Sequence, residues 1–219
     1  MIITIDGPAG AGKSSVAREL ARRLGFRFLD TGAMYRAVAL AALRNVSDFD
    51  DTAALAELAR GLKIDVTEST VHLNREEVTR EIRTMEVTSV IHHVADNAKI
   101  REQLVKLQRR AAAEGNFVTE GRDQGTVVFP QAQCKLFLTA SPEERAQRRM
   151  KDLNDRGENL DFEEVLRRQN ERDHQDETRE VGGLFAATDA IRFSTDSKSL
   201  AEVVEELEKI VRQRLKMTA

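Results

Sequence analysis

Three segments run on from one another near the start of the chain: Ile2-Ile3-Thr4-Ile5-Asp6, Gly7-Pro8-Ala9-Gly10-Ala11-Gly12-Lys13-Ser14 and Ser15-Val16-Ala17-Arg18-Glu19-Leu20. The first is apolar and β-branched, which predicts a buried strand. The third places Val16, Leu20 and Leu24 on one helical face, with Gly25 as the stop. Between them lies G-x-x-x-x-G-K-S, the phosphate-binding loop, in the strand–turn–helix setting that the motif requires. Glycines let backbone N–H groups curl around an anion with no Cβ in the way, and the following helix adds the positive end of its dipole. Lys13 is expected to reach the β- and γ-phosphates of a nucleoside triphosphate, and Ser14 to offer its hydroxyl to Mg²⁺. Gly7, Pro8, Ala9, Gly10, Ala11, Gly12, Lys13, Ser14 and Ser15 are the expected triphosphate cradle. By itself the loop leaves open where the phosphate goes.

Outward from the loop, the chain alternates strands and helices, which predicts a parallel sheet with right-handed crossovers. Short strands are expected at 26–29, 117–120, 135–139 and 190–195, with helices near 33–43, 50–60, 84–95, 97–113, 162–174 and 199–215. Ser141-Pro142-Glu143-Glu144 is a strong helix start, with Ser at the N-cap and acids in the first turn. Residues 62–67 and 70–74 alternate apolar with polar, so they read as a half-buried hairpin inside an insertion at about 62–83. The fold class is therefore α/β, a three-layer fold with a five-stranded parallel sheet and a small β-containing insertion. With 219 residues the chain suits a single domain.

Composition excludes several functions. Charged residues make up 32% of the chain but nearly cancel, leaving a net charge of −3, and only 5% of residues are aromatic with no Trp. That balance supplies neither the basic field nor the stacking platforms of a nucleic-acid-binding protein. No N-K-x-D guanine-reading motif is present to suggest a GTP switch. Cys134 is the one cysteine, so an intramolecular disulfide is excluded and a small hydrophobe near the start of a strand is expected. No apolar run approaches the ~20 residues that span a bilayer, and the chain enters its first strand with no leader-like segment. A cytoplasmic monomer without membrane or nucleic-acid partners is the expectation.

Ligands of open parallel sheets bind beyond the carboxyl ends of the strands. Those ends carry the phosphate loop, Asp30-Thr31-Gly32-Ala33-Met34-Tyr35-Arg36, Glu120-Gly121-Arg122-Asp123-Gln124-Gly125, and the helix bearing Arg145 and Arg149. Arg36, Arg122, Arg145 and Arg149 are thus expected to join Lys13 around two phosphate-bearing molecules. Together with Glu81-Ile82-Arg83-Thr84, Gly125-Thr126-Val127-Val128-Phe129-Pro130 and Glu171-Arg172-Asp173, these stretches resemble the bacterial cytidylate kinase family along essentially the whole chain.

The resemblance implies ATP-dependent phosphorylation of CMP and dCMP with Mg²⁺, by a single kinase domain. Its core and ATP site would comprise 1–30, 114–150 and 175–219, its monophosphate-binding region 31–113, and its lid about 152–160. Lys13, Arg122, Arg149 and Arg172 are the implied catalytic residues. Arg145, Arg149 and Arg156 would attend ATP. Thr31, Arg36, His92, Arg101, Arg122, Asp123, Arg172, Asp176 and Arg179 would bind CMP. Asp123 looks like the base reader, since a carboxylate accepts from the cytosine amine but meets a carbonyl in uracil. Asp176 is similar to the family residue near the sugar hydroxyls. His92 stands where relatives suggest a serine, a departure in the base-reading set.

Overall fold

The computed structural model describes residues 1–46, 48–154 and 160–217. Arg156 and most of the expected lid lie outside the described residues. In chain order the elements begin with β1 (Ile2–Asp6), α1 (Lys13–Leu24), β2 (Arg27–Asp30), α2 (Thr31–Asn45) and α3 (Thr52–Gly61). The insertion supplies β3 (Ile64–Val66), β4 (Val71–Leu73) and β5 (Glu76–Glu77), followed by α4 (Met85–Asp96) and α5 (Ala98–Ala111). The chain ends with β6 (Phe117–Gly121), β7 (Cys134–Thr139), α6 (Pro142–Asn154), α7 (Phe162–Thr178), β8 (Ile191–Ser194) and α8 (Leu200–Met217).

Two compact units form: Met1–Phe28 with Asn116–Ala219, and Leu29–Gly115. In the first, the sheet runs in the order β2-β6-β1-β7-β8, and β1 pairs in parallel with both β6 and β7. The central place of β1 follows from its apolar sequence: Ile3 and Ile5 are fully buried against Val16 and Leu20 of α1 and Val204 and Leu207 of α8. Burial of each such side chain contributes about 2 kcal/mol. Period-two alternation turns Thr4 and Asp6, also buried, to the other face of the sheet. The register opposes Ile5 to Glu120 and Asp6 to Gly121, which brings the ends of β1 and β6 level beside the phosphate loop.

The second unit packs helices around α2, whose Ala33, Ala37, Ala39, Ala41 and Ala42 are buried. Its helix starts are capped by side chains: Asp30 for α2, Asp51 for α3, Thr84 for α4 and Asn97 for α5. The expected hairpin is a three-stranded antiparallel sheet, β3-β4-β5. A tight turn through Asn74 and Arg75, both at positive φ, adds β5 to it. Among the described residues no helix is long and apolar enough to cross a membrane.

Candidate active site

Gly7 opens the phosphate loop in a conformation, φ +147°, that side chains rarely adopt, and a Cβ there would lie 2.1 Å from the Leu138 carbonyl oxygen. Only glycine lets β1 turn so close beside β7. The loop then delivers Lys13 at the head of α1, 5% exposed, with its Nζ donating to the Pro8 carbonyl at 2.7 Å. Burial pushes the Lys13 ammonium well below its ordinary pKa, and Arg122 and Arg172 push further, against opposition from Glu120 and Asp176. Three cationic groups thus crowd one glycine-lined loop, a field that an arriving polyphosphate relieves.

Ser14 Oγ donates to Glu120 Oε1 at 3.0 Å. A hydroxyl and a buried carboxylate at the mouth of the loop make the kind of oxygen pair that suits Mg²⁺, an ion usually held by one or two protein oxygens and the substrate's phosphates. Among the described residues no cluster of three or more His, Cys, Asp or Glu forms a metal cage of its own.

Arg145 on α6 is buried, and its guanidinium donates to the carbonyls of Ala140 and Ala9, both at 3.0 Å, and to Asp173 Oδ2 at 2.6 Å. One of these acceptors, Ala9 O, belongs to the loop, so Arg145 ties the cradle to the end of β7 and to α7. Arg149, four residues on, is half-buried with no ion pair among the described residues.

A second cluster sits on β6 and α7. Arg122 Nε donates to Asp176 Oδ2 at 2.7 Å, and Arg179 Nη2 donates to Asp176 Oδ1 at 2.9 Å. Burial raises the Asp176 carboxyl, but Arg122, Arg172 and Arg179 outweigh it and bring the pKa down to about 2. The expected helix at 162–174 continues to Thr178, which places Arg172 and Asp176 one turn apart on α7. Asp173, on the same helix, is the partner of Arg145. Asp123, 4% exposed, follows Arg122 directly and begins a turn through Gln124–Val128.

In the other unit, Asp30 Oδ1 caps α2 by accepting from Ala33 N at 2.9 Å, and its Oδ2 takes Arg83 Nη2 at 3.1 Å. Thr31 is buried at the start of α2. Arg36 Nη1 donates to Ile82 O at 3.2 Å and Thr88 Oγ1 at 2.9 Å. Arg101 is buried, donates to Ala95 O at 3.1 Å and lies over the Tyr35 ring at 5.6 Å. The His92 and His93 rings are neighbours, tilted by 37° with centroids 4.0 Å apart. Burial first, then its neighbour His93, push the His92 pKa down against the pull of Asp96.

Asp6, Glu120 and Asp173 were not among the residues expected at the site. Asp6 and Glu120 each end or nearly end an otherwise apolar strand, and that intrusion of an acid was the signal to follow. The chemistry available at the loop is binding and charge neutralisation of phosphates.

Comparison with known proteins agrees. A family model described as cytidylate kinase matches residues 3–213. A cytidylate kinase of Rhodopirellula baltica is 51% identical over 219 residues, covering 100% of this chain and 96% of that protein. A cytidylate kinase of Geobacter sp. strain M21 is 47% identical over 219 residues, covering 98% of this chain and 94% of that protein. Among solved structures, a shikimate kinase from Bacteroides thetaiotaomicron matches with a TM-score of 0.50 at 14% identity, covering 97% of this chain and 98% of that one. That likeness concerns the fold. By family model and by identity along its whole length, the chain belongs to the cytidylate kinase family.

Proposed function

We propose that the protein transfers the γ-phosphoryl group of ATP to the phosphate of CMP or dCMP, giving ADP and the corresponding diphosphate in one in-line displacement. The observation that carries this reading is Lys13, buried at the head of a loop whose Gly7, Gly10 and Gly12 turn at positive φ, with Ser14 and Glu120 beside it and Arg122 and Arg172 close enough to repel it. Phosphoryl transfer requires positioning and charge neutralisation more than covalent participation. Lys13 and Arg172 face the moving group, with Arg149 and Arg156 on the ATP side. Ser14, with Glu120 beside it, would hold Mg²⁺, which would neutralise charge on the β- and γ-oxygens when bound.

The acceptor is a phosphate oxygen, already anionic at neutral pH, so no general base is needed. Arg36 and Arg122 grip that phosphate, Thr31 meets the acceptor nucleotide, and Arg172, Asp176 and Arg179 serve ribose and phosphates. Each Asp176 oxygen accepts one guanidinium and keeps a lone pair for a sugar hydroxyl. Asp123 and Arg101 read the cytosine edge, with His92 beside them. We assign the core to 1–30, 114–150 and 175–219, the monophosphate region to 31–113 and the lid to about 152–160, acting as a cytoplasmic monomer.

Lys13→Ala tests the donor half. Turnover is expected to fall by about 10³-fold or more. The melting temperature should hold, because removing Lys13 relieves repulsion from Arg122 and Arg172. Near-normal turnover in a folded variant would sink the assignment.

A further inference from the structure

Asp6 closes β1 on the face of the sheet opposite Ile3 and Ile5, and it is 4% exposed. Its two carboxylate oxygens are each taken by a backbone N–H from far along the chain. Gln124 N donates to Oδ1 and Gly125 N to Oδ2, both at 2.8 Å and both buried. These are the first residues of the turn that follows Asp123. That turn is wound back onto Asp123, whose carbonyl accepts from Val127 N at 2.8 Å and Val128 N at 3.1 Å. The Asp6 carboxylate therefore fixes the backbone immediately after Arg122 and Asp123. In the other direction Asp6 is bonded to Gly7, where an added Cβ would lie 2.1 Å from the Leu138 carbonyl oxygen. A single side chain joins the root of the phosphate loop to the segment carrying Arg122 and Asp123.

Keeping an acid there is costly. Burial first, with Asp123 adding to it, raises the Asp6 carboxyl to about 7 despite the two N–H donors and Lys13. No neutral side chain of the same shape replaces it. Asparagine offers one acceptor and one donor group, so one of the two buried N–H groups would face an amide N–H and lose its partner.

We infer that Asp6 is a positioning residue for the acceptor nucleotide, holding Arg122 and Asp123 in register with the phosphate loop. The inference rests on the reading of Arg122 and Asp123 given above. Its signature is a split: recognition of CMP depends on Asp6 more than recognition of ATP does, because both carboxylate hydrogen bonds run to the segment after Arg122 and Asp123 while Lys13 is held by the Pro8 carbonyl.

The test is a set of steady-state measurements on wild type, Asp6→Asn, Gly125→Ala and Asp123→Ala, with CMP, UMP and ATP varied in turn. In Asp6→Asn the KM for CMP should rise about tenfold, the loss of one buried hydrogen bond, with preference for CMP over UMP reduced. The KM for ATP should move less than about twofold. An unchanged KM for CMP, or equal rises for CMP and ATP, overturns the inference. Should Asp6→Asn fail to fold, Gly125→Ala approaches the same contact from the other side. Its Cβ would lie 2.9 Å from Thr4 Oγ1 and 3.3 Å from Asp6 Oδ2, levering the Gly125 N–H off the carboxylate. The same split is expected there, and its absence is equally fatal. Asp123→Ala separates the two levels. Unchanged base preference in that variant removes the base-reading role of Asp123, whereas the role of Asp6 still stands or falls on the KM for CMP through Arg122.

Discussion

Asp176 accepts from two arginines at once, Arg122 on one carboxylate oxygen and Arg179 on the other. Its carboxyl is held at about 2, below the ordinary 3.8. A carboxyl lowered on folding stabilises the protein above the unfolded pKa and loses that stabilisation as pH falls through the folded one. The contribution is about 2 kcal/mol at neutral pH. Urea unfolding of wild type and Asp176→Asn is therefore expected to show a gap that is full above pH ~4 and narrows towards pH ~2. A gap independent of pH would show that the ion pairs do not set the stability of this cluster. At this scale the sequence was legible where one motif carries the whole reading. Lys13 and Ser14 needed only their spacing from Gly7. Of Asp6 and Glu120 the sequence showed only an acid at or near the end of an apolar strand, because what makes them matter is a partner more than a hundred residues away: Gln124 for Asp6, Ser14 for Glu120. The contacts of Arg145 were hidden for a similar reason, since two of its acceptors are backbone carbonyls that carry no sequence signal.

Among the elements, the strand–loop–helix at the start was readable because hydrophobic period, glycine placement and helix stop agreed. Gly7 is its most constrained position, and two substitutions of the same kind expose that. Gly7→Ala puts a Cβ 2.1 Å from a backbone oxygen at φ +147°. It should cost about 3 kcal/mol and lower the melting temperature by roughly 10 °C. Gly61→Ala, at the end of α3 with nothing within 4 Å of its Cβ, should be neutral or slightly stabilising. Equal melting temperatures for the two variants would contradict the tight turn. The insertion was only half readable. β3 and β4 alternate apolar with polar, as Ile64-Asp65-Val66 and Val71-His72-Leu73 show. β5 is two exposed glutamates after an Asn-Arg turn, a composition that predicts no strand. It forms because the Leu73–Glu76 and His72–Glu77 pairing completes the edge of β4. Likewise α7 runs past the expected end at His174, through acids and polar residues with no apolar period to mark it. The pull of Asp176 on Arg122 rewards that extension only once β6 is in place.

Over the whole molecule, the sheet order β2-β6-β1-β7-β8 places the strand ends that carry the phosphate loop and Arg122 side by side, which is the arrangement that α/β folds use for ligands. The chain divides into two compact units, one of them Leu29–Gly115, whereas the change of character legible in the residues begins only at about 62, with the half-buried hairpin. Net charge, −3 for the chain, says nothing of the site, where Lys13, Arg122 and Arg172 group around the loop with Glu120 and Asp176 among them. That grouping of cations is what a reaction between two anionic nucleotides requires. The most direct measurement is ATP consumption in a coupled assay with CMP, dCMP, UMP and AMP compared side by side, and with no acceptor as the fifth condition. Fast turnover with CMP and dCMP, little with UMP or AMP, and almost none without an acceptor is the expected result. UMP used as well as CMP would contradict base reading by Asp123, and rapid hydrolysis without any acceptor would contradict phosphoryl transfer to a nucleotide altogether.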